Sequence, residues 1–124
     1  MISDKKTIFA GLAVAGGLIA IIATVSYFGS RGNEDSTYFY YSLTCPHCKV
    51  VEEYMAANGT EVKIQIVKKE ISESPENAQE FLRRAGNCGI KSEEAGVPML
   101  WKDGKCTVGD QPIINYFKEI DANK

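Results

Sequence analysis

The sequence predicts an α/β domain of order β-α-β-α-β-β-α, a mixed four-stranded sheet with helices on both faces, preceded by one transmembrane helix. Three observations carry this reading. An uncharged run from Thr7 to Gly29 stands apart from a polar remainder. In that remainder, short apolar or alternating stretches are each followed by a stretch of helical period, the pattern of a strand crossing over through a helix. Asp103-Gly104 then separates two short apolar stretches, a strong two-residue hairpin signal that makes the final strand pair antiparallel.

The 124 residues suffice for one modest domain. Lys5 and Lys6 precede 23 uncharged residues, which as a helix reach roughly 34 Å and cover a hydrocarbon core of about 30 Å. A secretory signal peptide also places lysines before an apolar run. Its apolar core is shorter, about 7–15 residues, and ends in a small-x-small site; here the exit is the bulky Val25-Ser26-Tyr27-Phe28. Residues 1–30 are therefore read as an uncleaved signal anchor that enters the membrane through residues 7–29. Two lysines on the N-terminal side against Arg31 on the other favour a cytoplasmic N-terminus and a domain on the extracytoplasmic side of the cell membrane. Four cysteines agree with an oxidising compartment. Of 14 Lys/Arg and 16 Asp/Glu, two and one precede Arg31, which leaves 12 against 15 with no basic stripe and excludes nucleic acid as a partner.

Residues 31–36 are polar and read as a tether, with the domain proper at 37–121. Tyr38-Phe39-Tyr40-Tyr41 is aromatic on both faces, as a central buried strand requires. A helix follows Thr44-Cys45-Pro46-His47-Cys48, carries Val50, Val51, Tyr54 and Met55 as its apolar stripe, and stops at Gly59. Glu61 to Val67 alternates, with Val62, Ile64 and Ile66 on one face, and predicts the second strand. Ser74-Pro75-Glu76 supplies an N-cap, a first-turn proline and an acid suited to the helix dipole. That helix is expected to bury Ala78, Phe81, Leu82 and Ala85 and to end at Gly86. Strands Met99–Trp101 and Lys105–Val108 flank the hairpin turn. Asp110 is expected to cap a last helix with Ile113, Ile114, Phe117 and Ile120 facing inward.

The chemistry centres on Cys45 and Cys48, two cysteines separated by two residues where a strand turns into a helix. Unpaired N–H groups and a partial positive charge at a helix N-terminus favour a thiolate over a thiol. Cys45, at that end, is the expected attacking sulfur; Cys48, one turn in and shielded, resolves the mixed disulfide. Pro46 suits the first helical turn because it has no N–H to leave unpaired. His47 is placed to offer a hydrogen bond or positive charge to the Cys45 sulfur. Zinc would need two further ligands at suitable spacing, and Cys88 and Cys106 stand 18 residues apart. Haem attachment needs histidine after the second cysteine, where Lys49 stands. A purely structural Cys45–Cys48 bridge is the bland alternative. Cys88 and Cys106 have three readings: a second, structural disulfide, two apolar free cysteines, or a second redox pair that relays electrons to Cys45.

Order, spacing and motifs over residues 37–121 resemble the thioredoxin superfamily in its compact, glutaredoxin-sized form. The resemblance implies that Val97-Pro98, 50 residues after Cys48, is a cis-proline site beside the active-site sulfurs, with the Val97 backbone free to pair with an extended substrate segment. From sequence alone Pro98 reads equally as a trans proline opening an edge strand. Cys45-Pro46-His47-Cys48 with valine before the proline is similar to the Dsb-type disulfide oxidases of the bacterial periplasm, although no room remains for their helical insertion. Gly109-Asp110 resembles the glutaredoxin position that holds the γ-glutamyl end of glutathione. Ser42-Leu43-Thr44 fill the stretch where glutaredoxins often carry a basic residue, so glutathione use does not carry over with the resemblance.

These features together predict a membrane-anchored thiol–disulfide oxidoreductase acting on protein dithiols and disulfides, without metal or organic cofactor, and leaning towards the oxidase direction. It would need a redox-recycling partner, for which the membrane is the candidate place. The reading from a different class is a thioredoxin-fold binding or redox-sensing module that docks on a membrane partner without catalysis.

Overall fold

The computed structural model describes residues 35–124, and Asp35–Lys124 form one compact unit. The predicted membrane segment 1–30 and the first part of the tether, 31–34, lie outside the described residues. Among the described residues, no helix is long and apolar enough to cross a membrane. The elements run β1 (Thr37–Tyr41), α1 (Pro46–Asn58), a single turn α2 (Thr60–Lys63), β2 (Ile66–Glu70), α3 (Pro75–Asn87), β3 (Met99–Lys102), β4 (Lys105–Val108) and α4 (Asp110–Ala122). The sheet order is β2-β1-β3-β4. β1 is parallel to β2 and antiparallel to β3, which is antiparallel to β4. This is the mixed sheet of a thioredoxin-like fold.

The alternation of β1 builds a core on each face. Phe39 points to one side and meets Val51 and Met55 of α1, Leu100 of β3, and Ile113 and Phe117 of α4. Tyr40 points to the other and meets Phe81 and Ala85 of α3 and Met99. Each such fully buried large side chain contributes roughly 1.5–3 kcal/mol of transfer free energy, so the strand aromatic on both faces is what lets helices cover both. On the α3 side the Arg84 guanidinium lies 3.7 Å from the Tyr38 ring centroid and 4.1 Å from that of Trp101. Glu80 pairs with Arg84 at 3.2 Å and accepts the Tyr40 hydroxyl at 2.7 Å. Burial pushes the Tyr40 phenol up, and its hydrogen bond to Glu80 pushes it further.

The local signals hold at several points. Gly59 ends α1 in the left-handed region at φ 60°. Ser74 caps α3 by accepting from the Asn77 N–H at 3.3 Å. Asp103 and Gly104 take φ of 50° and 77°, both positive as the tightest right-twisting hairpin turn demands.

Five expectations need correction. The second strand is β2 at Ile66–Glu70, and residues 61–63 of the predicted alternation belong to the helical turn Thr60–Lys63, with Val62 exposed. β2 is an edge strand whose neighbour β1 begins at Thr37, so residues before Gln65 have no strand to bond. Their backbone pairs locally instead, Val62 N–H to Gly59 O at 3.1 Å and Ile64 N–H to Thr60 O at 3.1 Å. α3 runs through Gly86 to Asn87, because the glycine at positive φ is Gly89, at 79°. Leu82 flanks the Phe81–Ala85 stripe and is exposed, as is Val50 beside Val51. Asp110 is the first residue of α4, not its cap; Gly109 holds the cap position, at φ 97°. Ser36, read as tether, is buried.

Candidate active site

The Cys45 sulfur caps α1. Cys45 has extended backbone, and its Sγ accepts the Cys48 N–H at 3.1 Å while its carbonyl accepts the Lys49 N–H at 3.2 Å. A side-chain acceptor at an N-cap takes one of the orphan donors of the first turn. Here the acceptor is the sulfur itself, so the helix N-terminus and a direct N–H both favour negative charge on it once the disulfide opens. Cys45 is half-buried and reachable, whereas Cys48 is fully buried against the core. The two are joined as a disulfide with Cα atoms 5.2 Å apart. Pro46 occupies the first helical position and is exposed.

Two distant segments close around this sulfur. The Val97–Pro98 peptide is cis, Pro98 is buried, and the Val97 carbonyl lies 3.7 Å from Cys45 Sγ. Pro98 O in turn accepts the Gly109 N–H at 3.0 Å, which ties the start of α4 to the same place. The next residue, Asp110, meets His47: Nδ1 and Oδ2 are 2.9 Å apart. His47 is thus on the exposed rim, with its ring engaged by a carboxylate of α4. The His47 hydrogen bond, and then the Gln111 N–H, hold the Asp110 carboxyl below the usual aspartate range.

A further residue without any sequence signal supports the loop before Cys45. The Glu70 carboxylate, at the end of β2, accepts the Leu43 N–H at 3.4 Å, the Ser72 N–H at 2.8 Å and the Glu73 N–H at 2.7 Å, and pairs with the Ser72 hydroxyl. Nothing in Glu70-Ile71-Ser72 distinguishes it from any solvated acid. The Asp110–His47 contact was equally hidden, because the partners are 63 residues apart.

Cys88, the C-cap of α3, and Cys106, in β4, form a second disulfide with Cα atoms 6.1 Å apart. Among the described residues no group of three or more His, Cys, Asp or Glu is arranged to hold a metal. The arrangement at Cys45 has the parts that thiol–disulfide exchange needs. It combines a reachable sulfur that accepts a first-turn N–H, a shielded second sulfur bonded to it, and a backbone carbonyl 3.7 Å from the first sulfur.

No protein-family model and no curated protein matches this sequence. Among solved structures, it is similar to glutaredoxin 1 from Francisella tularensis, crystallised with cacodylate, at 16% identity and a TM-score of 0.46 over 72% of this chain and 98% of that one. It is also similar to a glutaredoxin from Archaeoglobus fulgidus, at 22% identity and a TM-score of 0.47 over 72% of this chain and 89% of that one. These structural neighbours are glutaredoxins.

Proposed function

We propose that this chain is a membrane-anchored thiol–disulfide oxidoreductase that oxidises protein cysteines, with Cys45 as the exchanging sulfur and Cys48 as the resolving one. The observation that carries the reading is the Cys45 sulfur acting as N-cap acceptor of α1, half-exposed beside the Val97 carbonyl. In the oxidising direction a substrate thiolate attacks Cys45 Sγ. The Cys45–Cys48 bond breaks, Cys48 leaves as thiolate and takes a proton, and substrate and Cys45 share a mixed disulfide. The substrate's second thiolate then attacks its own bridged sulfur and releases Cys45 as thiolate. The substrate has lost two electrons and gained a disulfide; the enzyme pair is reduced and must be reoxidised by a disulfide-bearing or otherwise electron-accepting partner. Oxidation is favoured because whatever stabilises the Cys45 thiolate stabilises the reduced enzyme.

The membrane part of the proposal rests on the uncharged run 7–29 and the lysines before it. The catalytic part is tested by insulin reduction and by refolding of reduced ribonuclease. Acceleration of ribonuclease oxidation, abolished in Cys45→Ser, supports the proposal, while inactivity in both assays leaves the non-catalytic binding module. For topology, a cysteine-free variant with one reporter cysteine at an exposed site such as Ser92 should react with an impermeant reagent from outside intact cells. Reaction only after lysis would put the domain in the cytoplasm and turn the direction towards reduction.

A further inference from the structure

Three chain segments meet around the Cys45 sulfur, and exchange as written above uses only two of them. The third is the start of α4. Its backbone is fixed there by the Gly109 N–H on Pro98 O at 3.0 Å, and Asp110 is the residue it presents. One Asp110 oxygen accepts its neighbour's backbone, the Gln111 N–H at 2.7 Å, so the carboxylate is oriented from within its own helix. The other oxygen is 2.9 Å from His47 Nδ1.

His47 sits in the first turn of α1, two residues after Cys45, and its side chain is 73% exposed. An imidazole that open would ordinarily sample several rotamers, including those that bring its charge to the sulfur. Here a carboxylate from another helix takes the ring. With the ring held on Asp110, the rotamers that would turn it towards the sulfur are not populated. The tetrad alone would supply a positive charge; the tetrad plus Asp110 supplies much less.

On the reading that Cys45 is the exchanging sulfur, we propose that Asp110 is a positioning residue for the redox pair: by holding the His47 ring it withholds positive charge from Cys45 and makes the disulfide less oxidising than the Cys-Pro-His-Cys tetrad would be by itself. Asp110 touches neither sulfur and takes no part in bond exchange. It acts through His47, which is what separates it from a surface ion pair of no consequence.

The test is a redox equilibrium read at one peptide. The full-length chain in detergent is equilibrated with reduced and oxidised glutathione. At equilibrium the Cys45–Cys48 bond is exchanged for the disulfide of two glutathiones, and the two glutathione protons pass to the protein thiols or, where Cys45 stays a thiolate, to solvent. Acid quenching, alkylation and mass spectrometry quantify the Cys45–Cys48 peptide separately from Cys88–Cys106. Asp110→Ala and Asp110→Asn are expected to shift the equilibrium about threefold to tenfold towards the reduced protein. His47→Gln is expected to shift it the other way. In the His47→Gln background, Asp110→Ala should change nothing further.

Two results overturn the proposal. One is an unchanged equilibrium in both Asp110 variants; the other is an Asp110→Ala shift of equal size with and without His47, which would make the carboxylate act on the sulfur directly. The inference and the function it rests on fail separately. If the shifts appear as described but no form of the protein accelerates insulin reduction or ribonuclease oxidation, the coupling stands and the catalytic reading falls.

Discussion

Cys88→Ala together with Cys106→Ala removes the bridge between the end of α3 and β4, and the loss can be worked from the structure. The bridge joins residues 18 apart, and the loop so closed contains Val97, Pro98 and the β3–β4 turn. Constraining a loop of that length in the unfolded chain is worth about 3 kcal/mol at room temperature on the chain-entropy relation. A domain of this size has roughly 5–13 kcal/mol of stability, so the double variant should lose a large share of it. Alanine is preferred to serine because Cys106 is partly buried and a hydroxyl there could go unpaired. With a slope of about 1–3 kcal/mol per molar urea, the unfolding midpoint should fall by about 1–3 M. The assay is urea unfolding followed by Trp101 fluorescence, the tryptophan cross-strand from Cys106. A companion experiment reduces the unaltered protein mildly and maps thiols by mass spectrometry, expecting Cys45–Cys48 open and Cys88–Cys106 intact. A midpoint within experimental error of the parent would refute the bracing role, and simultaneous opening of both disulfides would recast Cys88–Cys106 as an electron relay.

Two further outcomes follow from the packing and the electrostatics. Phe117 is 1% exposed in the core between α1, α4 and the sheet, so Phe117→Ala should cost about 3–5 kcal/mol; calorimetry showing a loss below about 1 kcal/mol would mean the site collapses around the gap or is packed otherwise. For pH, burial pushes Glu80 up, but the Tyr40 hydrogen bond and the Arg84 and Lys69 charges outweigh it and hold the carboxyl below its ordinary value, while the Ser72 hydroxyl leads the groups that lower Glu70. A carboxylate depressed on folding contributes stability above its ordinary value of 4.5 and loses it as pH falls through the folded value. Urea midpoints should therefore decline below about pH 4.5 and decline less in Glu80→Gln; equal slopes in the two proteins would contradict this assignment.

What the sequence revealed divides by how local the deciding physics is. The β1 reading needed only four aromatic residues, because a strand with Phe39 on one face and Tyr40 on the other must be covered twice. The Cys45–Cys48 pair was legible because its chemistry lies within one helical turn, and the hairpin because Asp103-Gly104 tolerates positive φ. The second strand was displaced because alternation says which residues share a face, not where the neighbouring strand begins. Val62 continues the pattern past the point where β1 can bond it. Helix α3 continues past Gly86 to Asn87, which the sequence could not show because Gly86 and Gly89 look alike until the backbone chooses one for positive φ. The two contacts that complete the site, Asp110 with His47 and Glu70 with the Leu43 N–H, join residues 63 and 27 apart. No local signal encodes them, because a surface acid acquires such a role only when topology sets it beside a partner. Cysteine counting left one partner for each of Cys88 and Cys106 but could not say whether the two would meet; the docking of α3 on the β3–β4 side brings them together.

The central claim is that Cys45, and not Cys48, exchanges with substrate. It is tested most directly by trapping with the two single serine variants in cells, followed by mass spectrometry of the mixed disulfides. Cys48→Ser, which leaves the attacking sulfur without its resolving partner, should accumulate protein partners, each bonded through Cys45. Cys45→Ser should accumulate none, because the remaining sulfur is fully buried. Partners bonded to Cys48 in the Cys45→Ser variant, or none on Cys45 in the Cys48→Ser variant, would contradict the account.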